Sequence, residues 1–214
     1  RMTLTLPPHI TAMTGMDALT HAVESFTCLA HNPISDAYAN GAIKKIADNL
    51  LHVLDNPTDA DGRLELAQAS TMAGVAFSNA MVGLVHALGH SLGAVCHLPH
   101  GLCMNLFLPY ALEFNKDKNG DRIAELLLPL AGADVYAATP VAQRADRAIA
   151  EIRRMRDEIF NRCKLPRTLQ ETGKVTREQL AQIADLTLDD GAIIINPKEA
   201  DRDEIMAILE KAWG

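Results

Sequence analysis

Aromatic side chains are few: five Phe, three Tyr and one Trp among 214 residues. Aromatics favour strands, whereas Ala and Leu, strong helix formers, together supply about 59 positions. The expected fold class is therefore all-α, a multi-helix bundle. Cysteine is also scarce. Cys28, Cys96, Cys103 and Cys163 form no Cys-x-x-Cys pair, which excludes a small disulfide-stapled fold and predicts reduced thiols in a cytoplasmic protein. No apolar run reaches the roughly 18 residues that a membrane helix needs, and residues 1–8 carry no apolar core of signal-peptide length. Basic charge is in deficit: 27 acids against 20 bases give a net charge of −7, so neither nucleic acid nor an anionic membrane is an expected partner. There is no 20–50-residue repeat, no low-complexity tract, and no Gly-x-Gly-x-x-Gly phosphate loop within strand–helix alternation. What is present is a 48% hydrophobic chain, enough for one domain with a sizeable core and too much for disorder.

Apolar spacing predicts a first helix from near Thr11–Thr14 through Ala30, with Met16, Leu19, Ala22, Val23 and Phe26 on one face. Ser35 is a candidate N-cap for a second helix to about Leu54, and a third runs from about Gly62 to Ala80. A fourth, from Val82 to about Val95, carries two histidines. Leu98-Pro99-His100-Gly101 reads as a break, and residues 102–114 as a helix too apolar to be amphipathic and hence central and buried. Asn115 to Gly120 reads as a charged loop. Helices follow at 121–131 and 140–162, the latter with Arg144, Arg147, Arg153, Arg154 and Arg156 interleaved with acids as a solvated face. Thr176 caps a short helix, Asp189-Asp190-Gly191 is a turn, and a last helix spans about Asp201 to Ala212. The chain opens abruptly at Arg1 with its first strong motif by residue 15, which predicts a piece of a longer protein.

Histidine is concentrated. His86, His90, His97 and His100 fall within fifteen residues, and His21 follows Asp17 by four. Positions i and i+4 share a helix face, so Asp17 and His21 can reach one ion from one helix, and His86 and His90 from another. A loop at His100 can swing a fourth imidazole back toward them. Oxygen and imidazole donors without thiolate suit a first-row divalent ion such as Fe(II) or Zn(II). Buried polar groups require partners, and a metal is one way to supply them. Gly83, Gly89, Gly93 and Gly101 surround the histidines. Glycine costs about 1 kcal/mol relative to Ala inside a helix, so the cluster points either to close approach of a bulky group or to tight helix packing.

The block Gly15-Met16-Asp17-Ala18-Leu19-Thr20-His21-Ala22-Val23-Glu24 resembles a signature of the iron-containing alcohol dehydrogenase family. So does Gly83-Leu84-Val85-His86-Ala87-Leu88-Gly89-His90-Ser91-Leu92-Gly93-Ala94, followed by Leu98-Pro99-His100-Gly101. Ala76-Phe77-Ser78-Asn79, Leu108-Pro109 and Ile195-Asn196-Pro197 add to the resemblance, which spans nearly the whole chain. It implies the C-terminal helical, dehydroquinate synthase-like domain over residues 1–214, with an N-terminal nucleotide-binding α/β domain lying outside this chain. It implies Asp17, His21, His86 and His100 as metal ligands and His90 as a catalytic residue that faces nicotinamide and substrate without binding the metal. The implied cofactors are Fe(II), or Zn or another divalent metal, and NAD or NADP held mainly by the N-terminal domain. The implied activity is hydride transfer between an alcohol and NAD(P), with aldehydes or ketones reduced in reverse, in a full-length homo-oligomer. Phe77 is a candidate wall of the substrate pocket. His97 reads as a solvent-facing loop residue, and His9, His31 and His52 match nothing functional. Cys103-Met104-Asn105 departs from the family pattern and is expected to alter the pocket near the metal.

Two other classes compete. A helical metal-dependent hydrolase would carry an adjacent His-Asp pair and nearby cations, yet no such pair occurs and residues 74–114 contain no Lys or Arg. A non-catalytic helical interaction domain with buried histidines predicts no stoichiometric metal.

Overall fold

The computed structural model describes residues 2–214. Among the described residues ten α-helices follow one another: α1 Pro8–Thr27, α2 Pro33–Asp55, α3 Ala60–Ala80, α4 Leu84–Cys96, α5 His100–Glu125, α6 Leu127–Ala131, α7 Ala133–Ala138, α8 Arg144–Cys163, α9 Leu180–Asp189 and α10 Arg202–Trp213. Short 3-10 turns separate the later ones, and there is no strand among the described residues. The all-α expectation holds. No single helix is long and apolar enough to cross a membrane.

Local chemistry sets the helix starts. Pro8 occupies the first turn of α1, where its missing N–H is not needed. Asn32, rather than Ser35, caps α2: its side chain accepts from Ile34 N and Ser35 N, while Ser35 Oγ accepts from Asn32 N at 3.0 Å. Ser35 is thus the third residue of a capping box. Asp59 caps α3, which begins at Ala60, two residues ahead of the expected start, and Asp201 with Glu204 forms a capping box on α10.

The core lies where α1 packs against α2, α3 and α5, and where α5 packs against α4 and α8. The run Leu102 to Leu112 is buried apart from Tyr110, with Phe107 among the largest fully enclosed side chains, as expected of a central helix. Two expectations fail nearby. Asn115 to Gly120 is not a loop. The helix continues to Glu125 with one non-helical residue, Asn119, because its polar side chains have tertiary partners. Asn115 exchanges two hydrogen bonds with Asn196, Lys116 meets Asp146, and Asn119 Nδ2 donates to Thr27 O at 2.6 Å. The arginine-rich helix α8 also departs. Arg147 and Arg154 are exposed and pair with Glu151, but Glu151 itself is buried, and Arg156 is 3% exposed and faces inward.

Between α3 and α4 the chain turns by 104°. Met81 takes a left-handed φ of 74° at this corner, which brings the start of α4 back over α1. That corner, together with the α1–α5 contact, gathers the histidines.

Candidate metal centre

Asp17 and His21 stand one turn apart on α1, His86 lies in the first turn of α4, and His100 is the first residue of α5. His100 therefore belongs to a helix start rather than to the expected loop. Each of the four residues offers one ligand atom, and these atoms all lie within 4.8 Å of one another.

Hydrogen bonds fix how the imidazoles face. His21 Nδ1 lies 2.9 Å from the backbone carbonyl of Asp17, so Nδ1 carries the proton and Nε2 a lone pair. His86 Nδ1 lies 2.5 Å from Glu24 Oε2, and the same logic frees its Nε2. The two Nε2 atoms sit 3.1 Å apart. Two acceptor lone pairs at that distance repel unless an electrophile lies between them. Asp17 Oδ1, 3.2 Å from His100 Nε2 and 3.6 Å from His21 Nδ1, is buried, and no hydrogen-bond donor is aligned on it. An orphaned carboxylate oxygen beside facing imidazole lone pairs is a donor set that fits a divalent cation.

Charge follows the same pattern. Burial first, and neighbouring His86 second, push His21 down to about 4 against the pull of Asp17, so this imidazole is neutral near pH 7. Burial alone would raise Asp17, but the His100 contact and the surrounding imidazoles hold it below its ordinary value. The Asp17 contact raises His100.

His90 lies beside this cluster and outside it. Its ring centroid is 5.7 Å from that of His86, and it stacks on His100 at 5.4 Å. Its Nδ1 is 2.9 Å from Asp190 Oδ2, and 44% of its side chain is exposed. His97 caps α4 in the left-handed region and is exposed. His9 is exposed, His31 pairs with Asp36 and His52 with Asp59. The Phe77 ring lies 4.5 Å from the His21 ring.

Tight helix packing accounts for Gly101 and Gly89 among the four glycines. A Cβ at Gly101 would sit 2.5 Å from the Met13 carbonyl oxygen, so α5 crosses α1 in backbone contact. Gly89 receives the end of Met104 and faces Cys103, and a Cβ at Gly83 would lie 3.2 Å from both Glu24 Oε1 and Asn196 Oδ1. Cys103, Met104 and Asn105 are buried, with Asn105 Nδ2 donating to Pro166 O at 2.8 Å.

Three supporting residues escaped sequence reasoning. Glu24 buttresses His86 and accepts from Val85 N at 2.6 Å. Its signal was present, since positions 17, 21 and 24 share one helix face. Asn196 Oδ1 accepts from Leu84 N at 3.3 Å, and Asp190 reaches His90 across a hundred residues, which no local pattern announces.

Residues 11–213 match the Fe-containing alcohol dehydrogenase family, C-terminal. The chain is 36% identical over 207 residues to 1,3-propanediol dehydrogenase of Klebsiella pneumoniae, which accounts for 97% of this chain and 52% of that protein. A crystal structure of 1,3-propanediol oxidoreductase is similar at TM-score 0.92 and 34% identity, over 98% of this chain and 53% of that one. Sulfoacetaldehyde reductase from Bifidobacterium kashiwanohense, solved in complex with NAD+, is similar at TM-score 0.82 and 28% identity, over 99% and 52% of the two chains. The chain spans about half the length of the relatives it matches. Sequence, fold and coverage agree that this chain belongs to the iron-containing alcohol dehydrogenase family and corresponds to its C-terminal helical region.

Proposed function

We propose that residues 1–214 are the metal-binding half of an NAD(P)-dependent alcohol dehydrogenase, completed by an N-terminal nucleotide-binding α/β domain. The observation that carries this reading is the pair of Nε2 lone pairs on His21 and His86, 3.1 Å apart beside the orphaned Asp17 Oδ1. Asp17, His21, His86 and His100 would hold the ion, Fe(II) or another divalent metal. With one carboxylate and neutral imidazoles around it, a divalent ion keeps positive charge and supplies Lewis acidity to the oxygen of an alcohol or carbonyl substrate. NAD or NADP, held mainly by the other domain, would supply the hydride acceptor or donor for the substrate carbon.

The chain's own residues do the rest. Glu24 locks the His86 ring and its tautomer, the usual duty of a carboxylate behind a ligating histidine. Asp190 does the same for His90: with Nδ1–H donated to Asp190, Nε2 is left free to take the hydroxyl proton of the alcohol or return it to the product. His100, with His90 stacked beside it, marks the solvent-open side of the site, where a substrate would enter. Phe77, against His21, supplies an apolar wall.

The test separates ligand from proton carrier. His86→Ala should abolish metal binding, while His90→Ala should retain the metal and impair turnover of the full-length enzyme. Equal loss of metal in both variants would reassign His90 as a ligand.

A further inference from the structure

A cavity of about 200 Å³ opens between α5, α8 and the segment that follows α8, lined by Tyr110, Arg153, Arg156, Asp157, Arg167 and Thr168. It shares no residue with the histidine cluster. Three guanidinium groups meet there, and two have carboxylate partners. Arg153 reaches Glu113 at 2.7 Å; Arg167 reaches Asp157 at 2.8 Å and Glu171 at 3.1 Å. Arg156 differs. It is 3% exposed, and a terminal nitrogen donates to the backbone carbonyl of Arg167. Its Nε is buried without a partner, as is Arg167 Nε. Among the described residues no carboxylate forms an ion pair with Arg156. The Tyr110 ring lies 5.7 Å from its guanidinium carbon, and a ring face offsets only a small part of the cost of a buried, unpaired charge.

We propose that this cavity binds a phosphate-class oxyanion, with Arg156 as its central donor and Arg153 beside it. Guanidinium forks match tetrahedral oxyanions in charge and geometry. Thr168 Oγ1 accepts from Glu171 N at 3.2 Å, so its hydroxyl proton remains to donate, and the Tyr110 hydroxyl, which already accepts from Arg153 and Arg156, keeps its own proton for an anion. The volume suits a single anion or the terminal phosphate of a small metabolite and falls below that of pockets for larger ligands.

Calorimetric titration of the whole chain with inorganic phosphate, against chloride at matched ionic strength, tests this. The expected result is saturable one-to-one binding, weakened tenfold or more by Arg153→Gln and by Arg156→Met, with unchanged far-UV circular dichroism. In phosphate-free buffer Arg156→Met should keep or raise the thermal midpoint, because an unpaired buried charge is gone, and phosphate should stabilise only the parent. Glycerol phosphate binding as tightly as inorganic phosphate identifies a phosphorylated metabolite as the source; weaker binding identifies the free anion. Absence of saturable binding, or Arg153→Gln binding phosphate like the parent, would overturn the proposal. A midpoint that falls in Arg156→Met with no phosphate effect on the parent would make Arg156 a structural brace and overturn it as well.

Discussion

Glu24 reaches from α1 to the first turn of α4, and substituting it with glutamine tests how His86 is held. Oε1 accepts from Val85 N at 2.6 Å; Oε2 lies 2.5 Å from His86 Nδ1 and 3.4 Å from His86 N. The side chain is 6% exposed, so water cannot replace what is lost. Glu24→Gln keeps the volume and one oxygen. The amide oxygen can serve one of the two strong donors, and the NH₂ group then faces the other. One charge-assisted bond disappears and a buried donor is left unpaired, a loss of about 1.5–3 kcal/mol. For a chain of this size that lowers the thermal midpoint by roughly 3–12 °C. Loosening the orientation and removing the charge behind a ligating imidazole weakens metal affinity by about 10–100-fold, or roughly 1.4–2.7 kcal/mol. Chelator competition with Fe(II) or Zn(II), together with scanning calorimetry, reads both effects. A variant with parental affinity and midpoint would refute the reasoning that Glu24 positions His86.

Two further outcomes follow from the geometry. Gly101→Ala places a Cβ 2.5 Å from the Met13 carbonyl oxygen and 2.9 Å from its carbon. α1 and α5 must part, which costs about 1–3 kcal/mol and moves His100 away from Asp17; chelator competition should show weaker metal binding, and an unperturbed variant would contradict the close crossing. In the metal-free chain, His21 titrates at about 4, below its ordinary 6.5, so between those values the unfolded state binds more protons. His21 therefore contributes stability that is complete above pH 6.5 and is lost as pH falls toward 4, on the order of 2–3 kcal/mol. Urea titrations at pH 6.5 and 4.5 should show a larger loss for the parent than for His21→Gln; equal losses would sink the assignment.

The parts of the fold visible in the sequence were those written in local periodicity. The scarcity of aromatics and the Ala/Leu content pointed to helices, and the unbroken apolar run from Leu102 marked the buried helix because no solvated face could be drawn on it. The same reasoning failed at Asn115 to Gly120, where polar residues looked like a loop only because their partners, Asn196, Asp146 and Thr27, are distant in sequence. Arg156 failed for a related reason: helical spacing of mixed charges cannot tell an outward arginine from one turned into a cavity. At the site, the i,i+4 spacings put Asp17 with His21 on one helix, but only the tertiary fold brings His86 and His100 to them. Glu24 shared that helix face and was legible in principle. Asp190 was not, since its contact with His90 depends on how α9 and the turn after it lie against α4.

The central claim is that Asp17, His21, His86 and His100 together hold one divalent ion. Elemental analysis of the untagged chain, reconstituted with Fe(II) or Zn(II) under reducing conditions and then desalted, tests it most directly. Close to one metal per chain is expected, whereas less than about 0.2 per chain after reconstitution, far short of the one-ion stoichiometry that a four-ligand site demands, would contradict a shared site.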